Sequence, residues 1–386
     1  MSMKNFTYHA PTKIVFGEGV IAELSNLIPR DATVLVTYGG GSIKKNGVYD
    51  QMREALDGYT WSEFGGIEPN PHYETCMKAL DVVRERNVTF LLAVGGGSVL
   101  DGTKFIAAAR YHTATPDPWD IIAQGTPVEQ MLPIGCVLTL PATGSEMNGN
   151  AVITRDSTQE KLVFGSPLAW PQFSVLDPQT TMSLPTRQTI NGIVDTFTHV
   201  SEQYMTDDSA PLQDRQAEAI YSVLLEEGPK VLREPENYDV RANLMWAATH
   251  GLNMMIACGL RQDWLTHMIG HEITAIYGPD HGQTLAVVLP AVWEYRRAMK
   301  AAKLAQYAER VLGVTGPTES KIDATISRTR EFFEELGTPT RLQAYGIDAT
   351  ECAAKIRSRF NERGVRFGED AAITGDDVPA ILSLAK

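Results

Sequence analysis

The sequence predicts an N-terminal α/β domain built on a mostly parallel sheet, followed by an all-α domain. Three observations carry this expectation. Apolar, β-branched runs alternate with helically spaced segments through the first half of the chain. Two glycine clusters stand directly after two of those runs. Strand signals nearly vanish beyond residue 185, and 386 residues exceed what one hydrophobic core usually serves.

The elements follow in order. Lys13–Phe16 (KIVF) reads as a short strand and Gly19–Leu27 as a helix. Thr33–Thr37 (TVLVT) is a strand that runs into Tyr38-Gly39-Gly40-Gly41-Ser42. Val48–Leu56 has helical spacing, and Tyr73–Arg86 places Met77, Leu80 and Val83 on one helical face. Thr89–Val94 (TFLLAV) is a buried strand ending in Gly95-Gly96-Gly97-Ser98, with a helix from about Asp101 to Ala109. Ile134–Leu140 and Phe173–Leu176 complete the strands. The pattern changes at Ser183-Leu184-Pro185, which divides the chain into expected domains at 1–185 and 186–386. Helical periodicity then dominates in Gln188–Tyr204, Ala210–Glu226, Val240–Cys258, Trp264–Ile276 and Lys300–Val311.

Composition narrows the function classes. No apolar run approaches the roughly 18 residues of a membrane span. The opening MSMKNFTYHA has no apolar signal core, so a cytoplasmic protein is expected. A net charge of -13 repels phosphate backbones and argues against nucleic-acid binding. Cys76, Cys136, Cys258 and Cys352 are far apart and read as reduced, packed thiols, so any metal must use imidazole and carboxylate ligands.

Both glycine clusters have the physics of a phosphate cradle. Glycine lets the backbone approach a pyrophosphate, and the following helix offers unsatisfied N–H groups. Neither is a GxGxxG or GK[ST] fingerprint, and a tight turn would explain either one alone. Two in one α/β domain favour a Rossmann-like dinucleotide fold. NAD sites commonly place an acidic residue after the second strand to hold the ribose 2′-hydroxyl. Here the segment is glycine and serine, with Lys44 and Lys45 beyond it, so NADP(H) is expected ahead of NAD(H).

The second half concentrates metal-binding residue types. Asp195 and His199 share a helix face at i, i+4, as do His267 and His271. His281 follows in the loop Gly278-Pro279-Asp280-His281-Gly282. Imidazoles with a carboxylate suit a divalent transition metal. Spacing alone leaves open which of these positions bind. His9, His72, His112 and His250 read as surface or capping residues.

Further motifs join these: Pro11-Thr12-Lys13-Ile14-Val15-Phe16-Gly17, Pro69-Asn70-Pro71, Gly95-Gly96-Gly97-Ser98-Val99-Leu100-Asp101 and Thr139-Leu140-Pro141-Ala142-Thr143-Gly144-Ser145-Glu146. In combination, and over nearly the whole chain, they resemble the iron-containing (group III) alcohol dehydrogenase family, in its NADPH-dependent aldehyde reductase and butanol dehydrogenase branch. The resemblance implies a dehydroquinate synthase-like architecture, a Rossmann-like domain followed by an all-helical metal-binding domain. It implies that Asp195, His199, His267 and His281 hold one Fe²⁺ or Zn²⁺. His271 would stay unligated as a proton relay. Gly39, Gly40 and Ser42 match the loop of NADP users, and Gly96, Gly97 and Ser98 match the pyrophosphate loop. Thr139, Asn148 and Lys161 match positions lining the cofactor, with Asn70 and Asp101 near the same cleft. A homodimer is implied as well. The expected activity is hydride transfer between NADP(H) and small aliphatic alcohols or aldehydes. Met147 and Asn150 stand where relatives often carry smaller residues, so they are expected to tune substrate size. Two rivals remain: a dehydroquinate synthase-type lyase, which would need more Lys and Arg near the metal helices, and a non-enzymatic protein stabilised by a closed metal site.

Overall fold

The chain forms β1 (Lys13–Phe16), α1 (Leu24–Leu27), β2 (Thr33–Tyr38), α2 (Val48–Ala55), β3 (Thr60–Phe64), α3 (Tyr73–Glu85), β4 (Phe90–Gly96), α4 (Gly97–Ala109), α5 (Asp120–Ala123) and β5 (Ile134–Leu140). A hairpin of β6 (Asn150–Arg155) and β7 (Glu160–Gly165) follows, then β8 (Phe173–Leu176). This computed structural model describes residues 3–206 and 209–386. Outside the hairpin, the strands make one six-stranded sheet, parallel throughout, in the order β1-β8-β5-β4-β2-β3.

The interior strands are continuous apolar runs because both of their faces are covered. On β2, Val34 and Val36 pack with Leu24, Val48 and Met52 on one face, while Leu35 turns to Leu80, Val83 and Phe105 on the other. The hairpin adds Ala151, Ile153 and Phe164 to that second layer. β3 (TWSEF) and the hairpin are additions to the expected strands. β3 lies at the sheet edge, where half-exposed positions blur the apolar signal. The helix expected over Gly19–Leu27 is a 3₁₀ turn, Val20–Glu23, that runs into α1.

The second glycine cluster is not a loop. β4 extends through Gly96 and α4 begins at Gly97. The β4–β5 register shifts between Gly95 and Gly96. A Cβ on Gly95 would lie 2.5 Å from Val99 Cγ2, one on Gly96 2.8 Å from Leu140 Cβ, and one on Gly97 2.4 Å from Thr143 Oγ1. The chain passes straight from strand to helix because no side chain stands in the way. β2 and β4 are neighbours, yet the chain leaves them in opposite directions, toward β3 and β5. The carboxyl ends of such a pair mark the crevice where open α/β sheets bind ligands.

The helical half comprises α6 (Thr186–Tyr204), α7 (Pro211–Arg233), α8 (Tyr238–Gly251), α9 (Leu265–Tyr277), α10 (His281–Tyr295), α11 (Arg297–Arg310), α12 (Thr318–Glu335), α13 (Ala349–Arg363) and α14 (Val378–Ser383). By contacts the chain forms two compact units. One joins His9–Pro185 with Pro235–Thr249; the other joins the stretch ending at Tyr8 with Thr186–Glu234 and His250–Lys386. Most of α8 therefore belongs with the sheet, where Met245 packs with Ala93 and Leu138. The helix expected to reach Cys258 stops at Gly251. Asn253 Oδ1 accepts from Met255 N–H at 3.1 Å, offering the backbone an alternative to the helix.

Phe197 anchors α6. Its ring lies 4.7 Å from Tyr221, 5.2 Å from Phe333 and 5.9 Å from Phe332, centroid to centroid. On α9, Leu265, Ile269 and Ile273 bury one stripe against Val288 and Val292 of α10 and Ile356 and Phe360 of α13. No helix among the described residues is long and apolar enough to cross a membrane.

Candidate functional site

α6 turns its aromatic anchor inward at Phe197 and presents Asp195 and His199 elsewhere on its surface. One oxygen, Asp195 Oδ1, lies 3.5 Å from His199 Nε2, 3.6 Å from His267 Nε2 and 3.7 Å from His281 Nε2. The ligand-type atoms of Asp195, His267 and His281 all lie within 4.8 Å of one another. The His199 and His267 rings stack with centroids 4.5 Å apart and planes 20° apart. Ligand atoms held about 2.1 Å from one cation in a tetrahedron are themselves roughly 3.4 Å apart. The observed separations fit the edges of such a polyhedron better than N–H···O contacts near 2.9 Å. The donor set, one carboxylate and three imidazoles, fits a borderline divalent metal.

His281 is not in a loop, as expected, but is the first residue of α10. Asp280 caps that helix in a capping box with Gln283, a D-x-x-Q signal already present in the sequence. Asp280 Oδ2 also accepts from Asn191 Nδ2 of α6 at 2.7 Å. The start of α10 is thereby tied to α6 one turn before Asp195. His271, on α9, is buried with its ring 5.0 Å from that of His281.

One residue at this centre was not among those expected. Glu202 lies seven residues after Asp195 on α6 and is buried. Its Oε1 accepts from Thr266 N–H at 2.6 Å and from His267 N–H at 3.4 Å, and its Oε2 meets His267 Nδ1. The i, i+4, i+7 spacing of Asp195, His199 and Glu202 was the available signal. Burial pushes the His267 imidazolium pKa down, but Glu202 and Asp195 outweigh burial and raise it to about 9. Burial raises the Glu202 carboxyl above its ordinary range, against the pull of His267.

On the sheet, Gly39 and Gly40 follow β2, and exposed Ser42 opens a 3₁₀ turn. A Cβ on Gly40 would meet nothing within 4 Å. Lys44 Nζ bonds Glu63 of β3 at 2.8 Å, so a carboxylate that the β2 segment does not reveal stands beside this lysine. Gly96 precedes α4, whose N-terminus has no side-chain cap and no acidic residue in its first turn. Such an end suits an anion. Ser98 Oγ accepts from Asn70 N–H at 3.2 Å, and Asn70 Oδ1 accepts from buried Lys161 Nζ at 2.9 Å. Asn70 takes a left-handed φ of 57° to make this link. Thr139 lies near the carboxyl end of β5.

Asp101 and Asn148 face inward. Asp101 accepts from Ser145 Oγ at 2.7 Å and from Val152 N–H at 2.9 Å. Burial raises its carboxyl pKa, with Lys104 opposing. Fully buried Lys104 donates to Asn148 O at 2.9 Å, to Asn148 Oδ1 at 3.3 Å and to Asn150 O at 2.8 Å. Burial lowers its pKa to about 8. Met147 is half-buried in a short 3₁₀ turn, and Asn150 opens β6.

Comparison with known proteins follows the same division of the chain. The profile described as "Iron-containing alcohol dehydrogenase" matches residues 11–178, and "Fe-containing alcohol dehydrogenase family, C-terminal" matches residues 189–385. The chain is 57% identical to the NADPH-dependent aldehyde reductase YqhD of Escherichia coli K12, covering 100% of both chains. It is 42% identical to the probable NADH-dependent butanol dehydrogenase 1 of Bacillus subtilis, covering 98% of this chain and 99% of that one. Among solved structures, E. coli K-12 YqhD superposes with a TM-score of 0.98 at 55% identity, covering 100% of both chains. The NADH-dependent butanol dehydrogenase A of Thermotoga maritima does so with 0.95 at 37%, covering 99% of both.

Proposed function

The chain belongs to the iron-containing alcohol dehydrogenase family, and from that premise we propose a metal-dependent aldehyde reductase that exchanges hydride between NADP(H) and small aliphatic aldehydes or alcohols. The observation that carries the reading is the convergence of three imidazole Nε2 atoms on Asp195 Oδ1 at 3.5–3.7 Å. Asp195, His199, His267 and His281 are the residues that would hold the cation. Bound there, Fe²⁺ or Zn²⁺ supplies Lewis acidity, polarising a carbonyl in reduction and lowering an alcohol pKa in oxidation. The nicotinamide supplies or accepts the hydride.

The chain's own residues do the rest. Gly96, Gly97 and Ser98 put the uncapped N–H groups of α4 at the disposal of a pyrophosphate. Lys161 and Asn70 hold Ser98 in place for that contact. Gly39, Gly40 and Ser42 offer a 2′-phosphate a segment without an acidic residue, with open space at Gly40 and Lys45 close in sequence. Thr139 supplies a wall for the cofactor, while Asp101 and Asn148 brace the loop that bears on it. His271 relays the proton that the product alcohol oxygen requires. We propose a homodimer in the cytoplasm, supported by the family resemblance and the dispersed thiols; light scattering tests the assembly.

The decisive experiment crosses NADPH and NADH with short, long and aromatic aldehydes, using enzyme of known metal content and following absorbance near 340 nm. We expect stoichiometric NADPH oxidation, best with short aliphatic aldehydes. A clear preference for NADH refutes the cofactor reading, and no turnover with any aldehyde refutes the function.

A further inference from the structure

Building on the metal-centre reading, we propose that Glu202 is a positioning residue that sets the tautomer of His267, so that its Nε2 lone pair faces the cation. The first-turn N–H groups of helix α9 need partners, and its N-cap residue Trp264 supplies no side-chain cap. Asp263 Oδ1 accepts from Leu265 N–H at 3.0 Å. Glu202 Oε1, reaching across from α6, accepts from Thr266 N–H at 2.6 Å and His267 N–H at 3.4 Å. These two donors fix Oε1 as an acceptor. Oε2 faces His267 Nδ1.

A carboxylate has no proton to give when ionised, so the bond runs from Nδ1–H to Oε2. With Nδ1 holding its proton against Oε2, Nε2 is the nitrogen whose proton a cation can displace, and it is the atom 3.6 Å from Asp195 Oδ1. Carboxylate–histidine pairs of this kind orient the ring and raise its basicity toward a metal. Asp195, His199 and Glu202 thus line α6 at i, i+4 and i+7, two as candidate ligands and one as the support of a ligand on α9.

The geometry makes Glu202→Gln a discriminating variant. Its amide oxygen replaces Oε1 and keeps the cap on Thr266 and His267. Its NH₂ then faces Nδ1 as a donor, which drives the ring proton onto Nε2, the atom meant for the cation. A residue that merely capped α9 would tolerate this change. Metal-free full-length wild type, Glu202→Gln, Glu202→Leu and His267→Ala are titrated with Zn²⁺ in competition with a chromophoric chelator, with thermal unfolding measured on each. We expect Glu202→Gln to bind Zn²⁺ about 10- to 100-fold more weakly at a nearly unchanged Tm. Glu202→Leu should lose both affinity and Tm. If Glu202→Gln binds as tightly as wild type while His267→Ala binds weakly, the positioning role is overturned and the metal centre stands. If wild type binds no Zn²⁺, or His267→Ala binds it equally well, the metal-centre reading falls and this inference with it. Should Glu202→Leu not fold, Glu202→Gln alone decides.

Discussion

Two carboxylates seven residues apart on α6 show how environment assigns work to one residue type. Asp195 points one oxygen at three imidazoles, whereas Glu202 spends its oxygens on two backbone N–H groups and a ring N–H. Asp195→Asn and His281→Ala should therefore each lower metal occupancy and cut kcat/KM by more than about 100-fold, because losing a direct ligand exceeds the loss from its support. Metal analysis alongside kinetics checks this; full occupancy with full activity would remove that residue from the site. Lys104 poses a different residue-scale question. Its ammonium is completely buried, and burial holds its pKa at about 8, below the ordinary 10.5. Below pH 8 it is protonated in both folded and unfolded chains, and the burial penalty is present in full. Between about 8 and 10.5 the unfolded chain keeps the proton that the folded chain has shed, so stability gains with rising pH. Relative to Lys104→Met, the wild type should gain about 3 kcal/mol across that window. Urea unfolding of both proteins at pH 7.5 and 10 measures it, and a pH-independent difference would contradict it.

At the scale of elements, close approach decides more than composition. Gly282, at the start of α10, would carry a Cβ only 2.8 Å from the Asn191 Cα and carbonyl oxygen of α6. That contact brings His281 to Asp195. Gly282→Ala should push the two helices apart, cost about 1–3 kcal/mol of stability and weaken Zn²⁺ binding; calorimetry and chelator competition read the two effects, and an unchanged affinity would show that α10 can shift without moving His281. Close approach also explains the glycines at the β4–α4 junction. Gly95 and Gly97 are demanded by Val99 and Thr143 whether or not a phosphate is present. Gly40 has open space around it and so carries the weight of the ligand argument at β2. The edge strand β3 and the β6–β7 hairpin went unpredicted for a related reason: their mixed patterns make sense only against the neighbours they pair with.

For the whole molecule, the helices that bear the candidate ligands are packed by extensive apolar contacts. Phe197 sits among Tyr221, Phe332 and Phe333, and α9 and α10 share a buried aliphatic layer. Chelation should accordingly abolish turnover while leaving far-UV circular dichroism intact and lowering Tm only by the lost binding free energy. Loss of helicity on chelation would instead favour a closed, structural metal.

By itself the sequence determined the α/β-then-helical order, the interior strands, the paired spacings of Asp195 with His199 and His267 with His271, and the family to which the chain belongs. These are local or periodic properties, legible because a strand buried on both faces must be apolar and a helix repeats every 3.6 residues. Tertiary structure alone decided that one Asp195 oxygen sits nearly equidistant from three imidazoles, that His281 opens a helix docked on Asn191, and that Glu202 reaches a histidine 65 residues away. Those facts depend on how closely α6, α9 and α10 approach. That distance is set by side-chain volumes summed over all three helices, which no single stretch of sequence contains.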